Sequence, residues 1–69
     1  MNILYKLREA REAAGLTQEQ VALEIGSAQY QIYKYETGKQ DITLGKAIQL
    51  AKLYNCSLDY LAGLDTEEK

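Results

Sequence analysis

Residues 29 to 37 of the chain carry an amide, two phenols, an ammonium group and a hydroxyl at close spacing: Gln29, Tyr30, Tyr33, Lys34 and Thr37. At 100° per residue these side chains share one face of a helix, while Ala28, Ile32 and Tyr35 fall on the other. The first face is a hydrogen-bonding surface. A glutamine amide donates and accepts side by side, which matches the edge of adenine; phenol hydroxyls and an ammonium suit phosphate oxygens, and the rings suit thymine methyl groups. Catalysis is a poor fit. The chain has no histidine to act as a base and a single cysteine, with no glycine-rich phosphate loop and no cluster of metal-ligating residues, so the expectation is no catalytic residue, no metal and no cofactor.

The elements that must position this face are legible from caps and apolar periodicity. Thr17 reads as the N-cap of a helix, with Gln20 three residues on to complete a capping box and Glu19 in the first turn, where the helix dipole favours a carboxylate. Val21, Ala22 and Ile25 form its apolar stripe, and Gly26 ends it, because glycine enters the left-handed region without a Cβ penalty. A second helix is expected from a Ser27 cap to about Thr37, closed by Gly38. Two short helices separated by a tight glycine-containing break make a helix-turn-helix, whose second helix could lie in a major groove.

The residues that carry this pattern resemble a known family. The run Leu7 to Gln18 (L-R-x-x-R-x-x-x-G-L-T-Q), the small or apolar Val21, Ala22 and Ile25, the segment Ile32 to Lys39 (I-x-x-Y-E-x-G-K) and the segment Leu50 to Leu61 (L-A-K-L-Y-N-C-S-L-D-Y-L) are similar to the Cro and phage-repressor helix-turn-helix domains, also called XRE-like. The resemblance covers residues 7 to 63. It implies an all-α, compact five-helix repressor-type domain, with the helix-turn-helix in helices 2 and 3. It further implies that Arg11 pairs with Glu36, tying helix 1 to the end of helix 3, and that Gln18 contacts the DNA backbone at the start of helix 2. Tyr35, Tyr54 and Tyr60 fall where similar proteins carry aromatic or apolar packing residues, and Cys56 where they carry an apolar one, which makes it a buried structural thiol. Relatives often have proline where this chain has Ile42; its absence leaves that loop less rigid.

The remaining elements follow from spacing. Helix 1 is expected over Ile3 to Ala14, capped by Asn2, with Ile3, Leu7, Ala10 and Ala14 inward and Gly15 ending it. Leu16 should plug the core and staple against Val21. Helix 4, about Leu44 to Tyr54 after a Thr43 cap, repeats Leu44, Ala47, Ile48 and Ala51, then Ala47, Leu50, Ala51 and Tyr54, a broad band that implies deep burial. Gly45 weakens its first turn by roughly 1 kcal/mol relative to alanine. Asn55 is expected to be left-handed, and Ser57 caps a short helix 5 through Ala62 with Leu58 and Leu61 inward.

Sixty-nine residues fit one small domain, expected over 1–64, and 46% hydrophobic content permits a compact core. The net charge of −2 runs against the basic character of many DNA-binding domains. All of it sits in Asp65, Glu67, Glu68 and Lys69, an acidic tail (65–69) expected to be disordered, so residues 1–64 are neutral. Within that neutral body Glu9, Glu12, Glu19 and Glu24 precede the turn, whereas Lys34, Lys39 and Lys46 follow it. No apolar run approaches a membrane span and the N-terminal residues are too charged for a signal peptide, so a cytoplasmic protein is expected.

The functional expectation is sequence-specific binding of double-stranded DNA by a small transcriptional regulator, a repressor, with Gln18, Ser27, Ala28, Gln29, Tyr30, Tyr33, Lys34, Lys39 and Thr43 at the DNA. Gln29 reads a base, Ala28 lets the backbone approach, and Lys39 and Thr43 form a second phosphate clamp with the start of helix 4. The partner is a roughly palindromic operator bound by a homodimer. The competing reading is a protein-interaction module, of antitoxin or anti-repressor type, that uses the same tyrosine-bearing face on a protein partner.

Overall fold

A computed structural model describes residues 4–64. Five helices follow in order: α1 (Leu7–Ala13), α2 (Gln18–Ile25), α3 (Gln29–Thr37), α4 (Leu44–Leu53) and α5 (Leu58–Leu61), with no strand among the described residues. Each boundary has a local cause. The Thr17 Oγ1 accepts from the Gln20 N–H (3.0 Å) while Gln20 Oε1 accepts from the Thr17 N–H (2.8 Å), the reciprocal capping box expected for α2. Thr43 accepts from the Lys46 N–H and Ser57 from the Tyr60 N–H, capping α4 and α5 as expected. Asn55 takes a left-handed conformation (φ 56°) between those two helices.

Helix α1 starts later than its periodicity implies. The Lys6 N–H donates across the molecule to the Leu61 carbonyl (3.1 Å), so the segment before Leu7 turns onto α5 instead of extending the helix. Leu4 packs against the core from that turn, and Ala14, expected inward, is exposed. Asn2 and Ile3, the expected cap and first inward residue, lie outside the described residues, as do Asp65 to Lys69.

Helix α3 differs at its start. The Ser27 N–H donates to the Ala22 carbonyl (2.8 Å), so Ser27 serves to finish α2. Ala28, extended at φ −103° and ψ 150°, becomes the N-cap and offers no side-chain hydrogen bond. Ala28 is also exposed, not packed inward as its helical angle implied.

The core gathers the inward faces of all five helices: Leu7 and Ala10 from α1, Val21 and Ala22 from α2, Ile32 and Tyr35 from α3, Leu50 and Ala51 from α4 and Leu61 from α5, with Tyr54 just after α4. Leu16 packs at its edge, as expected for a staple residue. The broad apolar band of α4 is buried only in part. Ala47, Leu50, Ala51 and Tyr54 face inward, but Leu44 is 68% and Ile48 39% exposed. That stripe centres on Ala47 and Leu50, and the helical angle carries Leu44 and Ile48 round to its outer margin.

These assignments separate Thr17 from Ser27 experimentally. Thr17→Ala removes a working cap and is expected to lower unfolding stability by about 1 kcal/mol, whereas Ser27→Ala leaves it within about 0.5 kcal/mol. Urea denaturation of both variants checks this; an equal loss in the two would restore Ser27 as a cap.

Candidate nucleic-acid interface

The exposed face of α3 is held outward by what lies beneath it. Ile32 is 1% and Tyr35 5% exposed, and these two buried side chains fix the rotation of the helix. Gln29, Tyr30, Tyr33 and Thr37 are then exposed and Lys34 half-buried, the face expected from helical geometry. The α2 to α3 connection is short because Gly26 adopts φ 68° and ψ 40°, a left-handed turn that reverses the chain at the end of α2.

Below that face a hydrogen-bonded chain of side chains runs from α1 to the start of α3. Arg11 Nε donates to Glu36 Oε2 at 2.6 Å and Arg11 Nη2 to Glu36 Oε1 at 3.3 Å, a two-pronged pair with side chains 11% and 3% exposed. Arg11 Nη1 donates to the Leu16 carbonyl (2.8 Å), fixing the segment between α1 and α2. The pair expected between Arg11 and Glu36 is therefore present. The structure extends it further than the sequence reading did: Gln18 Nε2 donates to Glu36 Oε1 (3.0 Å), and Gln29 Nε2 donates to Gln18 Oε1 (2.8 Å). The hydrogen bond with Glu36 raises the Arg11 guanidinium above its ordinary pKa, against the lowering effect of burial.

A second cluster forms on the surface. The rings of Tyr30 and Tyr33 stack with centroids 5.9 Å apart and 16° between planes, and Lys34 Nζ lies 5.1 Å from the Tyr30 centroid. Thr37 turns its hydroxyl back to the Tyr33 carbonyl (2.9 Å). Gln31 Nε2 donates to Gln40 Oε1 (2.9 Å), which ties α3 to the loop that follows it. Lys39 is exposed on that loop, and Thr43 is exposed at the head of α4 with its oxygen engaged by the Lys46 N–H. Among the described residues no hydrogen bond joins the side chains of Lys39 or Thr43 to either cluster.

The structure thus brings Arg11, Gln18, Gln29 and Glu36 into one network and Tyr30, Tyr33 and Lys34 into another. Sequence reasoning missed the two amide links of the first. Their signal was available in outline, since Gln18 and Gln29 each open one helix of the pair, but the pairing depends on the angle between α2 and α3, which no local spacing encodes. The arrangement offers amide, phenol and ammonium groups on one outward helix, stiffened from below.

A sequence profile described as helix-turn-helix matches residues 7–61. The chain belongs to that helix-turn-helix family, of the Cro and phage-repressor type. Among similar proteins is the HTH-type transcriptional regulator ImmR of Bacillus subtilis, 35% identical over 69 residues, covering 100% of this chain and 54% of the relative. The "Uncharacterized HTH-type transcriptional regulator YobD" of the same organism is 42% identical over 59 residues, 86% of this chain and 53% of its own. An "Uncharacterized HTH-type transcriptional regulator" of Archaeoglobus fulgidus is 33% identical over 63 residues, 91% of this chain and 90% of its own. The helix-turn-helix chain spans about half the length of the two Bacillus relatives.

Two measurements follow for the helix-turn-helix domain. Glu36→Gln leaves Arg11 buried without its counter-charge and is expected to cost about 3 to 5 kcal/mol. A domain of this size holds roughly 0.05 to 0.15 kcal/mol per residue in all, so urea unfolding should show most of the stability gone. A midpoint unchanged from the parent chain would remove the pair from any structural role.

The second concerns alkaline pH. Tyr54 is 6% exposed, and burial pushes its phenol well above the ordinary 10.0, with the Glu36 carboxylate adding to the rise and Arg11 opposing it. Burial also raises the half-buried Cys56 thiol above 9.0. Both folded-state values are raised, so above these ordinary values the unfolded chain sheds protons that the folded chain keeps, and stability falls as pH rises. One such proton corresponds to about 1.4 kcal/mol per pH unit. Tyr54→Phe should therefore flatten the decline above pH ~10 while changing stability at pH 7 by only about 1 kcal/mol. Denaturant midpoints measured across alkaline pH test it, and an unaltered slope would exclude Tyr54 as the source.

Proposed function

We propose that this domain is a sequence-selective binder of double-stranded DNA, acting as a transcriptional regulator of repressor type with α3 in the major groove. The observation that carries the reading is the outward face of α3, where Gln29, Tyr30, Tyr33 and Lys34 stand exposed or half-exposed on a helix locked in rotation by Ile32 and Tyr35. Membership of the helix-turn-helix family and the names of its relatives support it.

Each group has a role suited to its chemistry. Gln29 opens α3 and meets a base edge; Tyr30 and Tyr33 contact thymine methyls with their rings and phosphates with their hydroxyls. Gln18 and the free N–H groups at the start of α2 face one phosphate. Ser27 and Ala28, in the turn, allow close approach of the backbone. Lys34, Lys39 and Thr43 hold phosphates on the far side of α3. Residues 1–64 form the DNA-binding unit and 65–69 an acidic tail. The domain carries no catalytic role and works on DNA in the cytoplasm; no helix among the described residues is long and apolar enough to cross a membrane.

A neutral body limits how tightly one copy can bind. Three or four phosphate contacts steepen the salt dependence by about 0.9 each in log-log slope, and without surplus positive charge they do not hold a single helix firmly at physiological salt. Two copies about a two-fold axis double both the base contacts and the phosphate contacts, with helices about 34 Å apart. Binding is therefore expected to be cooperative on a roughly palindromic site whose half-site centres lie about 10 bp apart. Selection of bound duplexes from a random library should recover such a site. Inserting five base pairs between its halves turns one half to the opposite face, and affinity should drop to that of an isolated half-site. Unchanged affinity would overturn the dimer, and recovery of no preferred duplex would overturn the reading as a whole.

A further inference from the structure

Tyr30 and Tyr33 stand about one turn apart on the outward face of α3, and their rings lie nearly parallel, with 16° between planes and 5.9 Å between centroids. Tyr30 is 63% and Tyr33 37% exposed, so the core covers neither ring. They are held by each other. The Lys34 ammonium, 5.1 Å from the Tyr30 centroid, adds a second contact to the same ring. A tyrosine has only two side-chain torsions to lose, and a ring already held in place binds without that cost. The stack is one stiff apolar unit, two rings wide, with a hydroxyl on each ring.

What this unit can distinguish in a major groove follows from its groups. A phenol hydroxyl both donates and accepts, so it can bond to the O4 acceptor of thymine or to the N4 amine of cytosine. The hydroxyls are blind to that choice. The ring carbons are not blind to a methyl group: a C5-methyl gives them apolar surface to cover, and a bare C5–H does not. Selection by the stack therefore falls on the C5 substituent of a pyrimidine and not on its pairing edge. Spacing sets how many such groups one stack meets. Successive bases rise about 3.4 Å along a strand and complete a turn in about 10 bp, so equivalent points on neighbouring base edges stand roughly 5 Å apart. The two ring centroids are separated by a similar distance.

We propose that the Tyr30–Tyr33 stack reads two successive pyrimidines by their C5-methyl groups, taking 5-methylcytosine in place of thymine and discriminating against uracil and unmethylated cytosine. The proposal rests on the reading of α3 as the groove-facing helix. It adds a chemical class of ligand, the C5-methylated pyrimidine step, and a means of regulation, because methylation of cytosine at C5 creates a binding step where the unmodified sequence offers none.

The test begins with a duplex selected by the parent chain, in which each thymine is replaced in turn by uracil, a change that removes one methyl group and keeps every hydrogen bond. Two adjacent positions are expected to respond, each by about fourfold weaker binding, and both together by about fifteenfold. At those positions 5-methylcytosine and cytosine, each opposite guanine, are then compared, and the methyl group should again strengthen binding by about fourfold. Tyr30→Ala, checked for helical content by circular dichroism, separates a paired reader from two independent rings: with Tyr33 no longer held, the methyl effect should fall below about twofold at both positions. Its loss at only one position overturns the paired reader. Equal binding of the thymine and uracil duplexes by the parent chain overturns the proposal and leaves selective DNA binding standing, as does a methyl effect that is present for thymine and absent for 5-methylcytosine. If the parent chain selects no duplex, the underlying reading fails and the methyl reader with it. Should Tyr30→Ala prove unfolded, the parent chain decides the matter: uracil sensitivity at two adjacent positions supports the stack, and sensitivity at separated positions or at none overturns it.

Discussion

A guanidinium and a carboxylate set against each other at the junction of α1 and α3 organise this domain. Arg11 and Glu36 are almost wholly removed from solvent, where each charge alone would be costly and the pair is tolerable only because its geometry is good and its remaining donors and acceptors are satisfied. That requirement reaches outward. The leftover Arg11 nitrogen binds the Leu16 carbonyl and so fixes the entry to α2, and the leftover lone pair of Glu36 binds Gln18 and so fixes its first residue. A helix-turn-helix needs its two helices at one mutual angle, and here the angle is secured on its inner side by apolar packing and at its open end by a charge pair that must be completed.

What the sequence discloses and what it conceals divide along the range of the interactions. Thr17, Thr43 and Ser57 act on N–H groups three residues away, so their capping roles can be read directly, and Asn55 likewise declares its backbone conformation. Ser27 looked equally good as a cap. It fails because its own N–H is taken by Ala22, a bond that belongs to the preceding helix and outranks the start of the next. Periodicity gave the inner stripe of α4 but overstated its width, since Leu44 and Ile48 are apolar without being covered. The late start of α1 has the same origin: Lys6 finds its acceptor on α5, more than fifty residues away, and no local pattern announces that.

The candidate site shows the same division. Its outward side chains followed from one helical angle, and the ion pair from resemblance to a family. The coupling of Gln18 to Glu36 and of Gln29 to Gln18 is a property of three elements meeting, and only coordinates show which end of each amide faces which neighbour. The tyrosines divide by setting, with Tyr35 and Tyr54 in the core and Tyr30 stacked on Tyr33 at the surface. Residue type alone did not separate them; position on the helix did.

The first and last described turns of the fold touch. Lys6 donates its backbone N–H to Leu61, its ammonium lies 5.0 Å from the ring centroid of Tyr60, and Tyr5 lies so close to Gly63 that a Cβ there would meet its ring. The described chain therefore closes on itself like a clasped band. Tension applied between its two flanks would load that clasp first, in parallel with neither the ion pair nor the α2 to α3 turn. A pull from neighbouring sequence or from a tethered partner would open the clasp before it changed the angle between the paired helices, so mechanical strain is kept away from the face proposed to meet DNA.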